Sequence, residues 1–225
     1  TIDIARDLSN SLVRVAKGAG LHCEAILTDM NQVLGKSAGH TLEILECIKY
    51  IKNDFKDYRL EKITNELISS LLVKIYKISK NEAYNKINTV INNGLAAEKF
   101  EMMVAALGGP KNILRSYEKD LTNTSIQKDI FSSEGGWIEK IHTRELGLIL
   151  IELGGGRKQV TDKINYGVGY DNVLNIGDEV DPSTPLLSLY SIKNIDDNLI
   201  NKIKACFIIS DKKTRKQSEI FETIN

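Results

Sequence analysis

The chain has 225 residues, 42% of them hydrophobic, with 30 Lys+Arg against 30 Asp+Glu and a net charge of +0. That length holds one large domain or two modest ones with a real core. The charge balance argues against nucleic-acid and membrane partners, which call for a basic excess. Lys202, Lys204, Lys212, Lys213, Arg215 and Lys216 gather near the end and read as a solvated face and tail. No apolar run approaches the roughly 18 residues of a membrane span. Cys23, Cys47 and Cys206 show no metal-ligand spacing and read as small buried thiols, kept reduced in a cytoplasmic setting.

The chain opens at Thr1-Ile2-Asp3-Ile4 with no basic leader and runs straight into a helical pattern, as a truncated, split or excised chain would. Ile4, Leu8, Leu12 and Val15 recur at helical spacing up to Gly18 and Gly20. A short apolar strand is expected over 21–28. Leu42, Leu45, Ile48 and Ile51 mark the core face of the next helix, capped by Thr41. A further helix covers 60–78, with Ile63, Leu67, Leu71 and Ile75 at helical period. Ser79 and Glu82 form a capping box, and Asn93-Gly94 ends that helix. The next helix, 96–107, carries Met102 and Met103 as core residues, and Pro110 starts a short one. Beyond about 124 the texture changes to short strands with turn residues, at 126–131 and 137–142. One helix, 144–153, interrupts them, and a helix over 194–209 and a strand or tail over 220–224 follow. A boundary therefore falls near residue 125.

Between the first strand and its helix lies Asp29-Met30-Asn31-Gln32-Val33-Leu34-Gly35-Lys36-Ser37-Ala38-Gly39-His40. A polar, glycine-bearing loop of about a dozen residues in an α/β unit is uncommon unless it binds something or braces something that does. Asp29, at the strand's carboxyl end, either orients a ligand loop or braces its own.

Thr28-Asp29-Met30-Asn31-Gln32-Val33-Leu34, Ser37-Ala38-Gly39 and a helix with Glu43 and Glu46 resemble the thymidine phosphorylase and pyrimidine-nucleoside phosphorylase family. The resemblance continues through Ala96-Ala97-Glu98-Lys99-Phe100, Gly108-Gly109-Pro110, Gly154-Gly155-Gly156-Arg157, Asp162, Tyr166, Val168-Gly169, Gly177-Asp178 and Pro185-Leu186. It covers the whole chain but only the C-terminal portion of the longer family members.

The resemblance implies an α/β fold. Residues 1–125 would be the C-terminal part of the central phosphorylase domain. Residues 126–225 would be a small α/β hammerhead, barrel-sandwich-like, with a core drawn from Ile126, Trp137, Ile149, Val168, Val180 and Leu187. It implies a glycosyltransferase that cleaves thymidine or other pyrimidine nucleosides with inorganic phosphate, giving base and (deoxy)ribose 1-phosphate, and that works as a homodimer. The family's phosphate loop and base-reading cations lie before this stretch, so no catalytic or substrate-binding residue carries over. By the same resemblance, a monovalent cation such as potassium would take the carbonyls of Leu34 and Ser37 and the carboxylate of Glu46. All-oxygen ligation suits a hard cation. The other reading of Glu46 is an acid on the helix surface. His40 stands where the family usually has Asn. Arg157 with its three glycines is either an anion nest or a tight connection.

Two other classes stay open. One is a non-catalytic remnant or interaction module. The other is a carrier domain modified on Lys163, against which stands the position of Asp162-Lys163 before Gly177-Asp178 rather than after it. The isolated chain is expected to be inactive. Its first strand is expected to lack sheet partners, which would leave the later unit the more autonomous one.

Overall fold

A computed structural model of the protein describes residues 1–121 and 126–225. The boundary placed near residue 125 falls on 122–125, outside the described residues. The described part is mixed α/β, as expected. In chain order it comprises α1 (Ile2–Gly18), β1 (Ala25–Thr28), α2 (His40–Ile51), α3 (Tyr58–Tyr76), α4 (Lys80–Asn92), α5 (Leu95–Ala106) and α6 (Ile113–Asp120). It continues with β2 (Ile126–Phe131), β3 (Gly136–Ile141), α7 (Thr143–Glu152), β4 (Gly169–Asp171), β5 (Glu179–Val180), β6 (Pro185–Ser191), α8 (Asp197–Lys204), β7 (Phe207–Ser210) and β8 (Ile220–Ile224).

Three small antiparallel sheets result, with strand orders β1-β8, β2-β6-β4 and β5-β3-β7. The two three-stranded sheets and α7 enclose a core in which Ile138, Val168, Leu187, Leu189 and Ile203 are wholly buried. The sheet β1-β8 carries its own cluster of Val13, Leu27 and Ile224, and Ile48, Ile113 and Tyr117 form a third. The chain's last strand thus returns to its first.

That return corrects the expectation of an unpaired first strand. Ala25 to Thr28 pair with Ile224 to Ile220, and only these four residues of the expected 21–28 are extended. A partner almost two hundred residues away leaves no local signature in the sequence.

Several apolar side chains at helical spacing are outside. Ile4, Leu8, Leu12 and Val15 are 59% to 70% exposed, while Val13 is the buried residue of α1. Leu67, Leu71 and Ile75 of α3 point outward too, and Met102 and Met103 of α5 are half exposed. Periodicity identifies an apolar stripe but not what covers it. Cys47 is exposed and Cys23 half-buried, so only Cys206 is a buried thiol. Ile126 is exposed, whereas Ile149, Val168, Val180 and Leu187 take their expected places. Asn112, not Pro110, precedes α6. The capping box of Ser79 and Glu82 forms as the sequence predicts.

Candidate functional site

The loop between β1 and α2 is built on Asp29, which is buried. Its Oδ1 accepts from the backbone N–H of Asn31 at 3.0 Å and from Asn31 Nδ2 at 2.8 Å. This is an Asx-turn, the local bond through which aspartate opens loops. Its Oδ2 accepts from Gln32 Nε2 at 2.6 Å and Arg59 Nη1 at 3.1 Å. Arg59, in the first turn of α3, also donates to the carbonyls of Asp29 and Val33. Asp57 caps that helix through the N–H groups of Arg59 and Leu60, fixing where the guanidinium begins. Of the two readings of Asp29, the loop brace is the one its bonds describe.

The far half of the loop closes over Glu46. One carboxylate oxygen accepts from the N–H of Lys36 at 2.8 Å. The other accepts from the N–H of Ser37 at 3.2 Å and from Ser37 Oγ. Glu46 is half-buried, unlike an ordinary surface acid. Gly35 makes this possible, since a Cβ there would lie 2.7 Å from the Glu46 carboxyl carbon. Among the described residues no donor reaches the carbonyls of Leu34 or Ser37. The rim of the loop from Leu34 to Ser37 thus closes over the Glu46 carboxylate. A cleft of about 380 Å³ opens beside it, lined by Lys36, Leu42, Glu46, Lys49, Tyr117 and Asn172 among others.

Helix α2 starts at Gly39, not at a Thr41 cap. Gly39 adopts φ 125°, and its N–H is taken by Glu43 Oε1 at 2.8 Å. A side chain at Gly39 would meet the Val168 carbonyl at 2.6 Å. The loop lies that close to the C-terminal portion. Ala38 and Tyr170 exchange both backbone bonds, at 2.9 and 2.7 Å, like a short strand pair. The N–H of Val173 donates to the Lys36 carbonyl at 2.9 Å, and the N–H of Thr41 to that of Tyr166 at 3.1 Å. Gln32 Oε1 accepts from the N–H of Ile176 at 2.9 Å, and Lys36 Nζ lies 3.2 Å from Asp178 Oδ2. Val33 and Ala38 pack against the C-terminal core, and the His40 ring meets that of Tyr166 edge-on at 5.2 Å.

Asp178 has a second cation, Lys216, at 2.9 Å and accepts from the N–H of Asn175. Burial works to raise its carboxyl pKa, but the Asn175 N–H and the two lysines outweigh it and hold the group below its ordinary range. Around this point lies a polar cavity of about 160 Å³, lined by Gln32, Asp57, Arg59, Asn175, Asp178 and Glu219 among others.

The segment that grips the loop lies within a larger match. Residues 137–210 fit the family model described as pyrimidine nucleoside phosphorylase C-terminal domain. That segment is similar to the pyrimidine nucleoside phosphorylase C-terminal domain. Tyr166, Tyr170, Val173, Ile176 and Asp178, which hold the loop of the first strand, all lie within the matched segment.

Leu34, Ser37 and Glu46, brought forward from the sequence, thus share one loop and the helix turn facing it. Arg157 is elsewhere: its Nε donates to the Asp162 carbonyl at 3.1 Å, and Asp162 Oδ2 accepts from the N–H groups of Lys158 and Gln159. That is the tight connection, not an open anion nest. Arg59, Gln32 and Asp178 carried no signal as loop partners, because their partners lie up to 144 residues away.

Proposed function

We propose that this chain forms the C-terminal portion of a pyrimidine nucleoside phosphorylase. The reaction would be the reversible phosphorolysis of thymidine, or of other pyrimidine nucleosides, to base and (deoxy)ribose 1-phosphate. The observation that supports this reading best is the match of 137–210 to the phosphorylase C-terminal domain, together with that domain's hold on the loop 29–39.

In this reading residues 1–125 belong to the central domain and 126–225 to the hammerhead, with β8 lent back to β1. The groups that hold phosphate and steady the departing pyrimidine come from an upstream portion of the same protein, in a cytoplasmic homodimer. The outward apolar stripe of α1 and the two-stranded sheet beside it favour such a partner, since both are surfaces that packing ordinarily covers. Among the described residues no helix is long and apolar enough to cross a membrane.

In this reading a potassium ion would bind at this rim through the Leu34 and Ser37 carbonyls and the Glu46 carboxylate. All three are oxygen donors, and among the described residues no protein donor engages either carbonyl. The bound ion would supply fixed positive charge that stiffens the loop against the phosphate site. Glu46 would hold the loop's N–H groups with or without it.

Chromatographic assay of thymidine or uridine with inorganic phosphate tests the reading. The complete gene product is expected to release base only when phosphate is present, and this chain alone to release none. Base release by the chain alone would mean the site is misplaced, and none by the complete product would favour a non-catalytic module.

A further inference from the structure

We infer that Gln32 is a positioning residue, a two-ended strut through which the phosphorylase C-terminal domain sets the geometry of the loop 29–39. Its side chain is buried. The carboxamide N–H donates to Asp29 Oδ2 at 2.6 Å, and the carboxamide oxygen accepts from the Ile176 N–H at 2.9 Å. One end is thus fixed to the floor of the loop at β1 and the other to the backbone of the C-terminal domain.

The charges around it explain why an amide stands there. Asp29 needs a donor, and the Ile176 N–H needs an acceptor. Asp57, Asp178 and Glu219 face this space with Lys36, Arg59 and Lys216, and Gln32, which also lines it, reaches Asp29. Asp57 is taken up by the N–H groups of Arg59 and Leu60, and the other charges are paired: Arg59 with Asp29, Lys36 and Lys216 with Asp178, and Lys62 with Glu219. A further buried charge would have no partner, whereas a neutral group carrying both a donor and an acceptor satisfies both ends. Gln32 precedes by two residues the Leu34 carbonyl, and Lys36, whose N–H holds Glu46, follows it by four. Displacement of Gln32 therefore moves the rim, although Gln32 makes no contact with it. The importance of that rim rests on the function proposed above; the strut itself does not.

The test is site-resolved amide exchange by NMR on the chain and two variants. Gln32→Met keeps the length and removes both bonds. Gln32→Glu keeps the acceptor for Ile176 and sets a carboxylate against Asp29. If the two ends act as one strut, protection of the Lys36 and Ser37 amides falls at least about tenfold in both variants, the scale of a lost buried hydrogen bond to a charged group. His142, whose N–H donates to the Cys206 carbonyl at 2.8 Å at the end of the β3-β7 pair, keeps its protection. Wild-type protection of Lys36 and Ser37 in either variant overturns the proposal, and so does an equal loss at His142. None of these readouts uses phosphate, nucleoside or cation. A wild-type loop that gains no protection from potassium chloride over lithium chloride counts against the cation reading alone and leaves the strut standing.

Discussion

The Arg59 guanidinium lies 3.1 Å from the Asp29 carboxylate, with the two side chains only 6% and 0% exposed. The pair joins the first turn of α3 to the end of β1. Removing one member of a buried pair strands the other charge, at a cost of about 3–5 kcal/mol. Arg59→Ala is expected to lower unfolding free energy by that amount in urea titration. Arg59→Lys, which keeps the charge but not the planar fork, should lose less. A change within about 0.5 kcal/mol for Arg59→Ala, typical of surface sites, would show that the pair does not hold the loop.

Two glycines should respond in opposite directions. At Gly35 a methyl group collides with the Glu46 carboxylate. Gly35→Ala therefore detaches Glu46 from the N–H groups of Lys36 and Ser37, costing about 1–3 kcal/mol for the buried polar groups left unpaired. Gly147 sits inside α7 with open space around it. Gly147→Ala should stabilise by about 0.5–1 kcal/mol through helix propensity. Thermal melting of both variants checks the signs, and equal shifts would contradict the close packing at Gly35.

The salt bridges of Asp178 predict a pH dependence. Its carboxyl is held below the ordinary range, so folding favours the charged form. The stabilisation is complete above the unfolded-state value of about 3.9 and is lost as pH falls through the lower folded value. Asp178→Asn should therefore be less stable than the wild type at pH 6, with the difference shrinking below about pH 4. A difference that stays constant from pH 6 to pH 3 would contradict the pairing with Lys36 and Lys216.

The exposed stripe of Ile4, Leu8, Leu12 and Val15 predicts self-association of the isolated chain. Sedimentation velocity should show concentration-dependent oligomers, reduced by the double substitution Leu8→Gln with Leu12→Gln. A monomer at all concentrations would show that the stripe is tolerated in water.

The local half of this structure was legible in the sequence. The capping box at Ser79, the helix inside the C-terminal portion and the strands at 126–131 and 137–142 follow from bonds and periodicities within a few residues. The loop 29–39 announced itself by length and composition. What holds it did not. Arg59, Ile176 and Asp178 reach it through pairs separated by 30 to 144 residues. The pairing of β1 with β8 was hidden for the same reason. The periodicity of α1 and α3 marks the helices but not which face is covered, and their apolar stripes lie largely in solvent.

Phosphate kinetics in the complete gene product bear most directly on the proposed role of this loop. The measurement is the KM for phosphate in potassium and in lithium, for the wild type and for Glu46→Ala. If Glu46 with the Leu34 and Ser37 carbonyls holds a potassium ion that steadies the phosphate site, the wild type has a lower KM for phosphate in potassium. Glu46→Ala raises that KM and abolishes the difference between the two salts. Phosphate kinetics unchanged by both the salt and the substitution would contradict the cation role and leave Glu46 as a structural tether of the loop.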